Sequence, residues 1–515
     1  MKPIRLMSGF LTVGMWTMAS RVLGFVRDAM ILAFLGTGPL YEAYVVAFRL
    51  PNMFRRFFAE GAFNTAFVPM FSKKLENEDE DARGFAEDAL AGLASVLIVL
   101  TLGAMAAMPW LIYALASGFS GQEQFDLSVA FGRVTFPYIL FISLAALLSG
   151  VLNATGRFAA AAAAPVLLNV LLVGAMALAA TMGGDVARAL IWMIPVAGVA
   201  QLILVWVAAK RAGFGLRLRR PRWTPELAQL VQIAIPAALA GGVMQINLLV
   251  GQQVASYFDK AVGWLYAADR LYQLPLGVVG IAIGVVLLPD LSRRLAAQDH
   301  SGARHAFSRA GEISLALTIP SAVALVVIPL PLVSVLFQRG ALTGADSVAI
   351  AGAVAIYGLG LPAFVLQKIL QPQFFARGDT RSPFRYALVA MAVNAGLAIG
   401  LIPVLGWLAP AAATTLAGWA MVAQLAYGTR PFGDVARFDA RFRSRIWRVC
   451  VAAAVMGVAL WLSERMLASA LITAGWRYLA LGALVVIGIV VFFGVGQVIG
   501  AVRLSEFRQA ARRRS

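Results

Sequence analysis

The chain has 515 residues, 61% of them hydrophobic and only 13% charged, with a formal net charge of +18 and a mean hydropathy of +0.81. Soluble domains carry roughly 25% charged residues, so this balance excludes an ordinary soluble enzyme; the basic residues fall mostly between apolar runs, which reads as membrane topology, and no nucleic-acid partner is expected. A single cysteine, Cys450, excludes an internal disulfide, and the two histidines, His300 and His305, share one polar loop, so no metal and no cofactor are expected.

Apolar runs of about 20 residues recur along the whole chain, which predicts an all-α polytopic membrane protein. The first run extends from Phe10 to about Phe34 and contains SRVLGFVRDA at 20–29. Its start, MKPIRLMSGFLTVGMW, has the outline of a signal peptide: Lys2 and Arg5, an apolar stretch, then Ala19 and Ser20. Hydrophobicity resumes after Arg21, so the segment is expected to stay as a span. Arg21, Arg27 and Asp28 lie inside it, each costing about 2.5–3.5 kcal/mol at the centre of a span. Arg21 and Asp28 are seven apart and share a helix face, as do Ser20 and Arg27 one residue round. Asp28 can neutralise one of the two arginines, not both.

The second span, centred near residue 55, carries Arg49, Asn52, Arg56, Glu60 and Asn64 at spacings that make one polar stripe. Pro51 is expected to kink its start and re-aim Arg55. Further spans centre near residues 101, 142, 170, 198, 240, 278, 325, 358, 394, 418, 457 and 487, for 14 transmembrane helices in all. Asp269 and Arg270 fall in the eighth and, as neighbours on a helix, are expected to point in different directions. With the N-terminus in the cytoplasm, about 30 lysines and arginines fall on the cytoplasmic side and about six on the other. Both termini are therefore expected on the cytoplasmic side of the membrane, the basic tail RQAARRRS serving as an anchor that can also touch membrane lipid.

FVPMFSKKL (67–75) and LLPDLSRRL (287–295) match in pattern 220 residues apart, and AFRLP (47–51) lies over AADRL (267–271). LNATGRF (152–158) echoes FFARGDT (374–380), and Asn169 echoes Asn394. This predicts two pseudo-symmetric six-helix lobes in parallel repeat, residues 1–222 and 223–430, plus two C-terminal helices and a basic tail over 431–515. Such repeats are a transporter architecture, with substrate held between the lobes near the midplane.

Seven basic residues remain within spans, Arg21, Arg27, Arg49, Arg55, Arg56, Arg270 and Lys368, against three comparably deep acids, Asp28, Glu60 and Asp269. Structural ion pairs tend towards balance, so this excess needs a counter-ion the protein does not supply. The arginine fork suits bidentate contact with phosphate or carboxylate, which points to a cationic cavity for an anionic substrate. Interhelical bridging with snorkelling is the plainer reading, and it fits Lys368 and Arg49 best. Because like charges crowd one another here, neutralising Arg27 is expected to leave stability unchanged or higher. No GxxxxGK[ST] loop, GxSxG elbow or metal motif occurs, and no catalytic residue is identified.

SRVLGFVRD (20–28), FRLPNMFRRFFAEGAFNTAFVP (48–69), TFPYILFISL (135–144), ADRLYQLPLGVVGIAIGVVLLPDLS (268–292) and LFQRG (336–340) resemble the MurJ/MviN family of the multidrug/oligosaccharidyl-lipid/polysaccharide exporter superfamily. The resemblance covers nearly the whole chain. It implies a lipid flippase, not an enzyme. Its implied cargo is lipid II, the undecaprenyl-pyrophosphate-linked peptidoglycan precursor, moved from the inner to the outer leaflet by alternating access in a monomer. It also implies that helices 13 and 14 form a lipid-facing groove. The family's cavity arginines match Arg21, Arg27, Arg55 and Arg270; its span 1 acid matches Asp28, and an early span 2 acid is represented by Glu42. Some members bind sodium through carboxylates, where this chain has Gln245, Asn247, Gln252, Gln253, Asn394, Thr414 and Thr415, so sodium coupling is not expected. The rivals are an exporter of another lipid-linked oligosaccharide, a cation-coupled multidrug antiporter, and a membrane transferase needing an external carboxylate such as Glu123, Asp126 or Asp185.

Overall fold

The computed structural model describes residues 6–55, 62–76 and 82–501, with side chains described except at 6–11, 62–65, 236–248 and 278–286. Among the described residues every regular element is a helix. In chain order these are α1 (Leu6–Leu35), α2 (Pro39–Arg55), α3 (Ala62–Glu76), α4 (Ala82–Ala106), α5 (Met108–Leu115), α6 (Glu123–Thr135), α7 (Tyr138–Ala154), α8 (Ala159–Thr181), α9 (Val186–Arg211) and α10 (Pro225–Ala255). They continue with α11 (Ala261–Ala296), α12 (His300–Val327), α13 (Pro329–Phe337), α14 (Gly344–Phe375), α15 (Arg381–Gly400), α16 (Ile402–Leu405), α17 (Ala409–Gly428), α18 (Ala440–Met466), α19 (Ala468–Ile472) and α20 (Trp476–Val498).

Ten helical stretches among the described residues are long and apolar enough to cross a membrane. They coincide with ten of the fourteen expected spans, those centred near 101, 142, 170, 198, 325, 358, 394, 418, 457 and 487. The other four expected positions are occupied by α1, the α2–α3 stretch, α10 and α11. Large apolar side chains such as Val99, Leu479 and Val490 stay exposed on these helices, as a hydrocarbon surrounding favours.

The chain forms two compact units: residues 1–263 with 339–342, and residues 264–338 with 343–515. Helix α10, expected to open the second lobe, thus groups with the first unit. There it packs on α3, α4 and α5. Within the first unit, Phe67 stacks on Phe71 and Phe85 with ring centroids 5.5 and 5.6 Å apart. In the second, Ile328, Val449, Met456, Leu460, Leu484 and Phe492 form a buried core joining α18 and α20 to the α12–α13 corner.

The LNATGRF and FFARGDT segments end their helices in the same way. Helix α7 closes with Gly156 at φ 75° and the Arg157 amide bonded back to the Leu152 carbonyl at 2.9 Å. Helix α14 closes with Gly378 at φ 75° and the Asp379 amide on the Phe374 carbonyl at 3.0 Å. Both are left-handed glycine closures, which a side chain would strain.

Two buried acids organise the ends of the helices. Glu87 on α4 accepts the Arg217 amide at 2.9 Å and pairs with Arg83 and Arg219, which pins the segment between α9 and α10. Glu312 on α12 takes ion pairs from Arg309, Arg441 and Arg445, and so ties α12 to α18.

Candidate functional site: a polar seam on helices α1, α2 and α8

Arginine and aspartate stand side by side on α1, and the chain folds so that α8 faces them. The two helices meet at Gly24, where a Cβ would stand in ordinary contact with the Asn169 amide at 3.6 Å. Asn169 is buried in α8. Its amide nitrogen donates to the Ser20 carbonyl at 3.0 Å. Its Oδ1 accepts from Arg27 Nη1 at 2.9 Å. Arg27 also donates to Asp28 Oδ1, from Nε at 2.9 Å and from Nη2 at 2.7 Å. The side chains of Arg27 and Asp28 are only 11% and 9% exposed, so this is a substantially desolvated pair.

The acid of α1 therefore neutralises Arg27, its sequence neighbour, and not Arg21, two turns away on the same face. Arginine's long stem folds back along the helix, so adjacent positions can meet despite their 100° separation. Arg21 is half-buried and makes no hydrogen bond or ion pair among the described residues.

On α2, Arg49 donates to Gln252 of α10, whose own amide nitrogen reaches the Leu115 carbonyl at 3.4 Å. Arg49 thus bridges helices, as the plainer reading had it. Arg55 Nε donates to Asn52 at 3.3 Å, within the same helix. Arg56 and Glu60 lie outside the described residues, so the stripe is seen only in part. Glu42 is buried and accepts the Val262 amide at 3.2 Å, which caps the first turn of α11. Its described role is to fix that helix start.

In the second unit Arg270 Nη2 lies 4.0 Å from Asp269 Oδ2. The expectation that these neighbours diverge is corrected: the flexible arginine again turns back on the adjacent acid. Its guanidinium also sits 4.2 Å from the centre of the Tyr266 ring. Asp269 accepts from Gln273 as well. Nearby on α11, Tyr272 packs on Tyr357 and Phe364 at 5.0 and 5.7 Å.

Several polar residues of the sodium question are held by the protein itself. Gln253 bonds to Ser117, Thr414 to the Pro410 carbonyl and Thr415 to the Ile356 carbonyl. Among the acids expected in external loops, Asp185 caps α9 through the Arg188 amide, and Glu123 and Asp126 sit in the first turn of α6. No group of three or more metal-ligating side chains occurs among the described residues.

Asn169 was visible in the sequence only as an echo of Asn394; nothing there placed it against Arg27. Glu87 and Glu312 were not singled out either, although acids beside apolar runs and within reach of arginine clusters are the signal that marks them.

A family model described as "Lipid II flippase MurJ" matches residues 31–484. A relative named "Probable lipid II flippase MurJ" from Rhizobium tropici is 43% identical over 520 residues, covering 99% of this chain and 97% of its own. "Lipid II flippase MurJ" from Burkholderia cenocepacia is 35% identical over 410 residues, covering 78% of this chain and 80% of its own. Among solved structures, "Lipid II flippase MurJ, inward closed conformation" superposes with a TM-score of 0.79 at 22% identity, covering 95% of this chain and 98% of that one.

Proposed function

Since the chain belongs to the lipid II flippase MurJ family, we propose that it moves lipid II from the inner to the outer leaflet of the bacterial cytoplasmic membrane. It is a transporter, and the movement makes no covalent bond. Alternating access exposes the site to one side and then the other, in a monomer with both termini in the cytoplasm. The lobes are those expected from the repeat, residues 1–222 and 223–430, with 431–515 supplying the last two helices.

The observation that carries this reading is the unequal fate of two arginines on one helix. Asp28 is committed to Arg27, while Arg21 has no acidic partner among the described residues. A cation held within a span and left without a protein counter-ion is stabilised by an anionic cargo. A pyrophosphate offers paired oxygens that fit the guanidinium fork. Arg21 binds it directly. Arg27 is held in a fixed orientation by Asp28 and Asn169, which reduces the ordering cost at binding. Arg55 and Arg270 complete the cationic set, and Asp28 and Asp269 temper its charge. Arg56, Arg49, Glu60 and Glu42 belong to the same reading, Arg49 and Glu42 chiefly by holding helices in place.

The test is complementation of a strain depleted of its own flippase, scored by the fraction of lipid II accessible from outside. Restored accessibility supports the reading. Failure to restore it, together with export of another undecaprenyl-pyrophosphate-linked oligosaccharide, would overturn it.

A further inference from the structure

A second basic feature lies away from the seam. A cavity of about 230 Å³ opens between the first turns of α18 and the end of α20, lined by Arg441, Ser444, Arg445, Arg448 and Gly500. The three arginines recur at intervals of four and three, so they share one face of α18. Ser444 adds a hydroxyl to the same wall. Arg441 and Arg445 are oriented by their ion pairs with Glu312. Arg448 makes no ion pair among the described residues and lies 5.5 Å from the Trp447 ring. Gly500 closes α20 at φ 72°, and a Cβ there would lie 3.1 Å from Arg448 Nη1. Glycine therefore leaves that guanidinium room on the cavity side.

We propose that this cavity is a binding site for a phosphate group, distinct from the seam of α1 and α8. Three guanidinium groups and a hydroxyl converge on one small polar space, the donor set that phosphate oxygens take. Glu312, shared by two of the lining arginines and Arg309, holds those side chains in place at the cavity wall. The uninterrupted apolar run of α18 begins at Val449, just past the site, and α20 ends at Val498, just before it. That places the cavity where two spans leave the apolar zone, the level at which membrane lipids carry their phosphates. The headgroup of an anionic lipid is the source this position favours, and free phosphate offers the same chemistry. The inference does not depend on what the seam transports.

The test uses the full chain in nanodiscs of zwitterionic lipid, with thermal unfolding as the readout. In one arm phosphatidylglycerol is added to the bilayer; in the other, inorganic phosphate replaces chloride at matched ionic strength. The expected result is a rise in Tm with phosphatidylglycerol that falls severalfold in Arg448→Gln and survives in Arg443→Gln, whose side chain is exposed and outside the cavity. Ser444→Ala, a milder change, is expected to reduce the rise in the same direction. An Arg448-dependent rise with inorganic phosphate alone would support the site with a soluble ion as its source. No rise in either arm, or equal loss in the Arg443 and Arg448 variants, would overturn the proposal.

Discussion

Asn169 holds Arg27 from across the helix packing: its Oδ1 accepts from Arg27 Nη1 at 2.9 Å while its amide nitrogen is anchored on the Ser20 carbonyl at 3.0 Å. One buried side chain on α8 thereby reads two turns of α1. Asn169→Leu keeps the branched shape and removes both bonds. A buried donor and acceptor left unmade cost about 1–3 kcal/mol. The variant is expected to reach the membrane at reduced thermal stability and to move lipid II poorly. Wild-type leaflet accessibility in this variant would show that Arg27 needs no such support.

Arg21 and Arg27 are expected to behave in opposite ways when neutralised. Arg21→Gln breaks no ion pair, so stability should hold while transport is lost. Arg27→Gln takes the guanidinium away from Asp28, at 9% side-chain exposure, and removal of one partner from such a pair costs about 3–5 kcal/mol. This reverses the expectation, drawn from charge excess alone, that losing Arg27 relieves repulsion. The double change Arg27→Gln with Asp28→Asn should recover the melting temperature and not the transport. Equal melting temperatures for all three variants would refute the pairing.

Glu312 gathers Arg309, Arg441 and Arg445, and Arg309 also holds Asp439 at 2.6 Å. Glu312→Gln removes the buried acid that the three arginines share, so a loss of about 3–5 kcal/mol is expected, read as a lowered Tm. Burial pushes the Asp439 carboxyl up, but the Phe442 amide and Arg309 outweigh it and hold the group below its ordinary value. A depressed carboxyl stabilises the fold above its unfolded pKa, and that stability is lost as pH falls through the lower, folded value. Acid should therefore weaken the α12–α18 junction, and Asp439→Asn should melt earlier at neutral pH with a flatter acid limb. An unchanged acid limb in Asp439→Asn would remove that residue from the account.

Transport is expected to follow the membrane potential. Moving one charge across the full field is worth ~2.3 kcal/mol per 100 mV. If the unloaded carrier shifts a fraction of one or two charges inward as it resets, an inside-negative potential favours reset by about 1–3 kcal/mol, a roughly five- to hundredfold bias. Cargo anions offset those charges on the outward stroke. Collapsing the potential in cells that rely on this protein should lower external lipid II, whereas removing the sodium gradient should not. The reverse pattern would assign the drive to sodium.

The sequence determined the class of this protein. Runs of about 20 apolar residues admit only membrane helices, because hydrocarbon offers no partner for backbone N–H and C=O groups. Charges inside those runs are expensive enough that Arg21, Arg27, Asp28, Asp269 and Arg270 stood out without any fold. Which charge meets which was not legible there. Helix periodicity placed Arg21 with Asp28, while the folded chain gave Asp28 to Arg27 and brought in Asn169 from 142 residues away in sequence. It likewise spent Glu42 on capping α11 and Glu312 on three arginines, one of them its neighbour on α12 and two from α18. These are contacts of long side chains between packed helices. They are set by rotamers and by the approach of a second helix, quantities that spacing along one helix does not contain.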